Sequence, residues 1–445
     1  MMSIFKHGLY ELDGFQSKAV NECLTLKRSI LISPIGSGKT LMLVDIINRT
    51  KGDILWVSPL SVCKESIPLE LNKFLGDNVK VFNIAEVASN KTSKFLETAH
   101  DYKGRKLILT NPERLVKVGT TDIKFSTVLS DESTLLANHS SIRSKLMLKM
   151  CGMKSVKYVI IASDNPSADS LQSYFMQAKI IDGGKALGTT ITAFRRTYMV
   201  QNPYCRFKWD FQPSTGAKIM KRLKSITVTV DRGVGTQYNP TVVKAAITVS
   251  LPKQVSKIYK SIMRDSIYEI DDNNAIIADT PVTKLTKLRQ IASGGIITDN
   301  NTVILHKKKL KALTSIKGFG VEKVIVMIAF KVERQLIESL PVNAYTIDTV
   351  DAWRDDKAGV LILNPLSACY GLNLQECSIM VFYSLPLSSL QYTQSQGRII
   401  RRGQKNKCYI YSIICKDTVD EKITNALTLK FSNSTRMLNY LIEGL

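Results

Sequence analysis

Apolar residues in this chain gather in short, near-continuous runs separated by stretches of helical period. In the first half the runs are RSILISP (28–34), DILWVSP (53–59), KLILTNP (106–112), FSTVLSDE (125–132) and KYVIIAS (157–163). The second half repeats the rhythm with KAAITVSL (244–251), KVIVMIAF (323–330), AYTIDT (344–349), GVLILNP (359–365), SIMVFYS (378–384) and CYIYSIIC (408–415). Most run apolar for several residues and end in polar or proline positions. That is the pattern of strands buried on both faces of a parallel sheet, with working loops at their C-terminal ends. Two α/β sheets are predicted. Gly and Pro break the pattern in DRGVGTQYNP (231–240), so the expected domains are residues 1–235 and 236–445.

A length of 445 residues fits two cores better than one. The 44% apolar content and mean hydropathy of -0.01 describe a globular chain. No run has bilayer-spanning length, and VIVMIAF (324–330) suits a buried strand. The opening MMSIFKHGLYELDG lacks the long apolar core of a signal peptide, so a cytoplasmic protein is expected. Eight cysteines (23, 63, 151, 205, 369, 377, 408, 415) show no C-x-x-C spacing, which argues for free thiols and against zinc.

Charge narrows the partner. Sixty-one Lys and Arg against 38 Asp and Glu leave +23, an excess that repels itself unless a polyanion is bound. Nucleic acid is the expected partner, with no membrane. From about 190 to 230, Arg195, Arg196, Arg206, Lys208, Lys218, Lys221, Arg222 and Lys224 interleave with Phe194, Tyr198, Tyr204, Phe207, Trp209 and Phe211. The aromatics are expected to form a small core, while some of the charges hold DNA phosphates. HKKKLK (306–311) reads as an exposed helix face.

The chemistry starts at SPIGSGKT (33–40), between a strand-like run and an amphipathic one. Glycines let backbone N–H groups approach a phosphate, and a helix N-terminus adds its dipole. Ser33, Pro34, Ile35, Gly36, Ser37 and Gly38 would form that cradle. Lys39 would meet the β- and γ-phosphates, and Thr40 would hold Mg²⁺. Ser33 stands where the strict pattern has Gly. SDEST (130–134) ends a strand in two adjacent carboxylates: Asp131 as the second Mg²⁺ contact, Glu132 to polarise the attacking water. Far along the chain, QSQGRIIRRGQ (394–404) offers Arg398 and Arg401, three apart and so predicted on one helix face. They would supply positive charge to the γ-phosphate.

SPIGSGKT, DEST and QSQGRIIRRGQ together resemble superfamily 2 helicases and translocases, within them the Swi/Snf-like branch. The resemblance runs from GFQSKAV (14–20) to DTVDEKI (417–423), and is most specific over 363–404. Compact length makes the chain similar to phage-encoded members, the branch-migrating UvsW-type helicases among them, which would place it in a host cytoplasm. The resemblance implies two tandem RecA-like domains with a nucleotide cleft between them, ATP and Mg²⁺ as ligands, and DNA contacted mainly through its backbone. It implies that Phe15 and Gln16 recognise adenine, and that Gly371 and Gln394 belong to the nucleotide site. DNA contacts would come from Ser58, Pro59, Ser61, Asn111 and Arg114 in the first domain, and from Asn364, Ser367 and Asn373 in the second.

Two further departures stand beside Ser33. Thr134 replaces the usual His, so coupling through that His does not carry over. IASDNPSADS (161–170) replaces a Thr-Gly-Thr-Pro-like stretch, placing Ser163 and Asp164 in the coupling position. The expected function is an ATP-dependent DNA translocase of replication, recombination or repair. A degenerate ATPase acting as a nucleotide-gated DNA clamp, an RNA helicase of the same superfamily and a small-molecule P-loop kinase are the alternatives.

Overall fold

Alternate residues of the first-half runs go to opposite faces of one sheet. Ile30, Leu55, Val57, Ile108, Val128 and Val159 pack on one side, and Leu31, Ile54, Trp56, Leu107, Leu129 and Ile160 on the other. Both faces are apolar because both are covered, the condition a parallel sheet requires. These relationships come from a computed structural model that describes residues 11–34, 36–167, 170–202, 205–212, 214–230, 240–271, 274–278, 280–298, 301–365, 372–401, 404–429 and 434–443.

The chain divides into two compact units, Met1–Thr236 with Tyr370–Leu372, and Gln237–Cys369 with Asn373–Leu445. In the first, the strands are β1 (Arg28–Ile32), β2 (Asp53–Val57), β3 (Lys80–Asn83), β4 (Lys106–Thr110), β5 (Phe125–Asp131) and β6 (Tyr158–Ser163). A hairpin follows, β7 (Met199–Asn202) with β8 (Cys205–Phe211), and then β9 (Thr227–Thr229). The seven-stranded sheet has the order β3-β4-β2-β5-β6-β1-β9 and is parallel throughout. Its order puts β6 between β5 and β1, so the ends of all three meet at one edge.

The second unit holds β10 (Val242–Val249), the hairpins β11 (Ile267–Asp271) with β12 (Asn274–Ile277) and β13 (Gly295–Ile297) with β14 (Thr302–Ile304), then β15 (Val324–Met327), β16 (Ala344–Tyr345), β17 (Val360–Leu363), β18 (Ile379–Phe382) and β19 (Cys408–Cys415). Six of these form a parallel sheet, β10-β19-β18-β15-β17-β16. Each unit is a RecA-like α/β domain. The three hairpins, β3 and β9 were not predicted; they are short and carry no long apolar run.

The reading of HKKKLK as an exposed helix face fails at Lys309. Lys309 of HKKKLK is not on a solvated face: its ammonium lies 2.6 Å from Asp420 and donates to the Tyr383 carbonyl at 3.0 Å, fully buried. Asp420 also accepts from the Cys415 N–H, and Tyr259 accepts from Val419 N–H. Lys307, Lys308 and Lys311 are exposed as expected. Cys23, Cys63, Cys151, Cys377, Cys408 and Cys415 are free and buried. Among the described residues no helix is long and apolar enough to cross a membrane.

Candidate nucleotide site

β1 leads directly into the glycine loop. The Ser33 N–H donates to the Ser163 carbonyl at 3.0 Å, carrying the β1–β6 ladder one residue past the strand. The Ser33 and Ser37 hydroxyls are hydrogen-bonded to each other, so the serine that replaces glycine at the loop's start ties its two ends together. Gly36 and Gly38 take φ of 73° and 78°, the left-handed region that favours residues without a Cβ. At Gly38 a Cβ would also collide with Gln16 Nε2. The helix Lys39–Arg49 starts immediately after, with its first N–H groups at the loop.

Gln16 braces this loop from behind. Its Nε2 donates to the Ser37 carbonyl at 2.7 Å and its Oε1 accepts from the Asp13 N–H at 3.0 Å, within the helix start Gly14–Leu26. The side chain is 1% exposed. Its carboxamide thus holds the shape of the loop. Phe15 is partly buried against the core. Pro34 is exposed, Thr40 is partly exposed, and Ile35 lies outside the described residues.

The end of β5 brings the acids to the lysine. Lys39 Nζ is 3.4 Å from Asp131 Oδ1. Burial works to lower the pKa of that ammonium, but Asp131, Glu132 and Asp164 outweigh it and hold it raised. Glu132 occupies the left-handed region at φ 66°, an uncommon and strained backbone for a non-glycine residue. Its Oε1 accepts from Thr134 Oγ1 at 2.7 Å and from Ser163 Oγ at 3.2 Å. Desolvation raises the Glu132 pKa, Lys39 pulls it down, Asp164 pushes it back up, and the net shift is upward. Thr134, standing where the resembled family has His, thus orients the glutamate. Ser133 donates to Gln177 at 2.6 Å, and Gln177 donates to the carbonyls of Pro166 and Ser173. This tie between the segments after β5 and β6 was missed; a lone helical Gln gives no signal in sequence.

Among the described residues no group of three or more His, Cys, Asp and Glu side chains is arranged to hold a metal. Thr40 and Asp131 offer a hydroxyl and a carboxylate. Those hard oxygens fit Mg²⁺, an ion that takes few protein ligands and fills its shell with phosphate and water.

The expected DNA-contact residues fare unevenly. Ser58, Pro59 and Asn111 are buried, and Asn111 Nδ2 is spent on Glu113. The Arg114 guanidinium donates to the carbonyls of Ile84 and Val87. The Asn111 and Arg114 side chains thus brace the loops after β4 and β3. Ser61 is partly exposed, and Asn364 and Asn373 are exposed. Ser367 and Gly371 lie outside the described residues.

In the second unit, Ser388 caps the helix Ser389–Gln396, which contains the buried Gln394. The helix ends before Arg398 and Arg401. They occupy the turns that follow, with Arg398 N–H on the Ser395 carbonyl and Gln404 N–H on the Arg401 carbonyl, so they are not on a helix face as predicted. Gln404 fixes these turns: its Nε2 donates to the carbonyls of Gln375 and Cys377, both at 2.9 Å. The Leu374 N–H donates to the Arg398 carbonyl.

No family model matches the chain. It is similar to protein p41 of Acyrthosiphon pisum secondary endosymbiont phage 1, with 27% identity over 460 residues, 96% of this chain and 97% of that one. It is also similar to the DNA repair and recombination protein RAD54-like of Drosophila persimilis, 22% identical over 495 residues. That match covers 94% of this chain but 62% of the relative, so the chain spans about three fifths of the RAD54-like length. Among solved structures, the Sulfolobus solfataricus SWI2/SNF2 ATPase core in complex with dsDNA aligns with 98% of this chain and 97% of its own at 17% identity and a TM-score of 0.41.

Proposed function

We propose that this chain, similar to a RAD54-like DNA repair and recombination protein, is an ATP-dependent translocase that moves on duplex or branched DNA. The observation that carries this reading is the meeting of Lys39, Asp131 and Glu132 beside the glycine loop, with Glu132 held by Ser163 and Thr134. Lys39 would bind the β- and γ-phosphates, exchanging its pairing with Asp131 for the anion. Mg²⁺ held by Thr40 and Asp131 would offset the phosphate charge. Glu132, whose proton affinity burial has raised, would accept a hydrogen bond from the attacking water. Ser163 and Thr134 would keep its carboxylate aimed.

Arg398 and Arg401 would supply positive charge to the γ-phosphate. Repeated cycles of hydrolysis would move the protein along the DNA backbone, largely without regard to sequence. Exposed Asn364 and Asn373 and partly exposed Ser61 are the proposed backbone contacts among the described residues. Branch migration or fork remodelling, in the host cytoplasm if the gene is phage-borne, is the finer reading.

The test is steady-state ATP hydrolysis with duplex DNA, with RNA and with neither. Stimulation by duplex DNA, lost in Lys39→Ala, is expected. Stimulation by RNA alone would move the protein to the RNA helicases. Nucleotide-dependent DNA retention without turnover would favour the clamp.

A further inference from the structure

Residues 183–230 carry nine Lys and Arg against one Asp, a concentration found nowhere in the nucleotide site. The structure separates this segment's aromatics from its charges. Phe194 and Tyr198 are buried, and Trp209 and Phe211 pack against the same core. The helix Thr215–Leu223 turns Thr215, Ile219 and Leu223 inward, and leaves Lys218, Lys221 and Arg222 exposed on the opposite side, with Lys224 exposed just beyond. Arg222 Nη1 donates to the Ala186 carbonyl at 3.3 Å, which brings the loop with exposed Lys185 alongside. Asp182, the acid nearest in sequence to Lys185, accepts from the Gly184, Lys185 and Ala186 N–H groups. Among the described residues no salt bridge involves Lys185, Lys218, Lys221, Arg222 or Lys224.

We infer that the outward face of the helix Thr215–Leu223, with Lys185 and Lys224, is a second phosphate-binding surface for duplex DNA, apart from the nucleotide site. Like charges at spacings of three and four on one helix repel. A surface made only for solubility mixes the two signs, whereas a polyanion removes the repulsion and releases counterions. Duplex is favoured over single strands because the segment's described aromatics are turned inward. Among the described residues the surface offers cations for phosphates and no platform on which an unpaired base could stack. Placement gives the contact a consequence. The helix runs through residues 224–226 into β9, which pairs with β1, and the Val230 N–H donates to the Ile32 carbonyl at 2.8 Å. DNA held there is tied to the strand that carries the glycine loop.

This inference rests on the DNA reading above, and the test separates the two. Duplex DNA affinity of the full chain is measured by fluorescence anisotropy over a salt series, alongside DNA-stimulated ATP hydrolysis. The variant is Lys218→Gln, Lys221→Gln, Arg222→Gln; the control is Lys91→Gln, Lys94→Gln, Lys154→Gln, which removes equal charge from other exposed positions. Losing three phosphate contacts should reduce the log–log salt slope by about 2–3. The DNA concentration for half-maximal stimulation should rise, with kcat at saturating DNA and KM for ATP unchanged. The control should move each value much less. A variant with the wild-type slope and affinity overturns the inference, as does an equal loss in the control, or weakened RNA binding with duplex binding intact. Wild-type protein that binds no duplex DNA sinks the translocase reading itself.

Discussion

The Ser163 hydroxyl donates to Glu132 Oε1 at 3.2 Å, joining the end of β6 to the end of β5. The same Oε1 accepts from Thr134, so two hydroxyls aim a carboxylate whose backbone is already in the left-handed region. Ser163→Ala removes one of them without touching the phosphate loop. An orienting hydrogen bond of about 1–1.5 kcal/mol is worth roughly tenfold in rate. The expected result is a kcat for ATP lower by about that factor with KM little changed. Steady-state kinetics of the variant checks it; a change in KM alone would assign Ser163 to nucleotide binding.

Gly38→Ala should damage the loop more than its size implies. The left-handed conformation costs a non-glycine residue roughly 1–2 kcal/mol, and the new Cβ would collide with Gln16 Nε2. Displaced Gln16 releases the Ser37 carbonyl. Titration with a fluorescent nucleotide should find ATP affinity reduced at least tenfold, while the thermal midpoint of unfolding shifts by only a few degrees.

Lys309→Met should destabilise the second unit. It leaves Asp420 charged, buried and without its ammonium, a loss of about 3–5 kcal/mol. Replacing both partners, Lys309→Met with Asp420→Leu, removes the uncompensated charge and should recover much of the loss, except for the Cys415 N–H that Asp420 now satisfies. Denaturant unfolding of the wild type and both variants measures this.

Asp356 makes a pH-dependent contribution with a definite sign. Hydrogen bonds from Asn343 Nδ2, Tyr345 OH and the Ala358 N–H hold its carboxyl down to about 2 from an ordinary 3.8. A depressed pKa means the folded state binds the proton less readily than the unfolded chain. The contribution is fully present above pH 3.8 and is lost as pH falls toward 2. Thermal unfolding of wild type and Asp356→Asn should differ most above pH 4 and converge near pH 2; a gap that widens with acid would contradict the assignment.

The main strands were legible because sheets covered on both faces demand continuous apolar runs, and chains such as RSILI and VIVM leave no other reading. Hairpins of three to five residues, like β13 with β14, give no such signal. The nucleotide loop was legible for a similar reason: phosphate needs N–H groups, and only glycine permits the φ at Gly36 and Gly38. What escaped was set by tertiary context. Lys309 reads as one of a solvated cluster until Asp420, more than a hundred residues later, folds beside it. Arg398 and Arg401 look like a helix face by spacing, yet the helix stops at Gln396 and Gln404 holds the turns. That the Gln16 carboxamide braces the Ser37 carbonyl gave no signal in the sequence either.

The central claim is that the proposed ATP hydrolysis depends on Arg401 as well as on the phosphate loop. Arg401→Ala tests it most directly, with nucleotide affinity and DNA-stimulated ATP turnover measured on the same preparation. The account predicts ATP binding near the wild-type value and a kcat lower by about 10³-fold or more, the scale of an arginine that stabilises a transferring phosphoryl group. Undiminished kcat would contradict it.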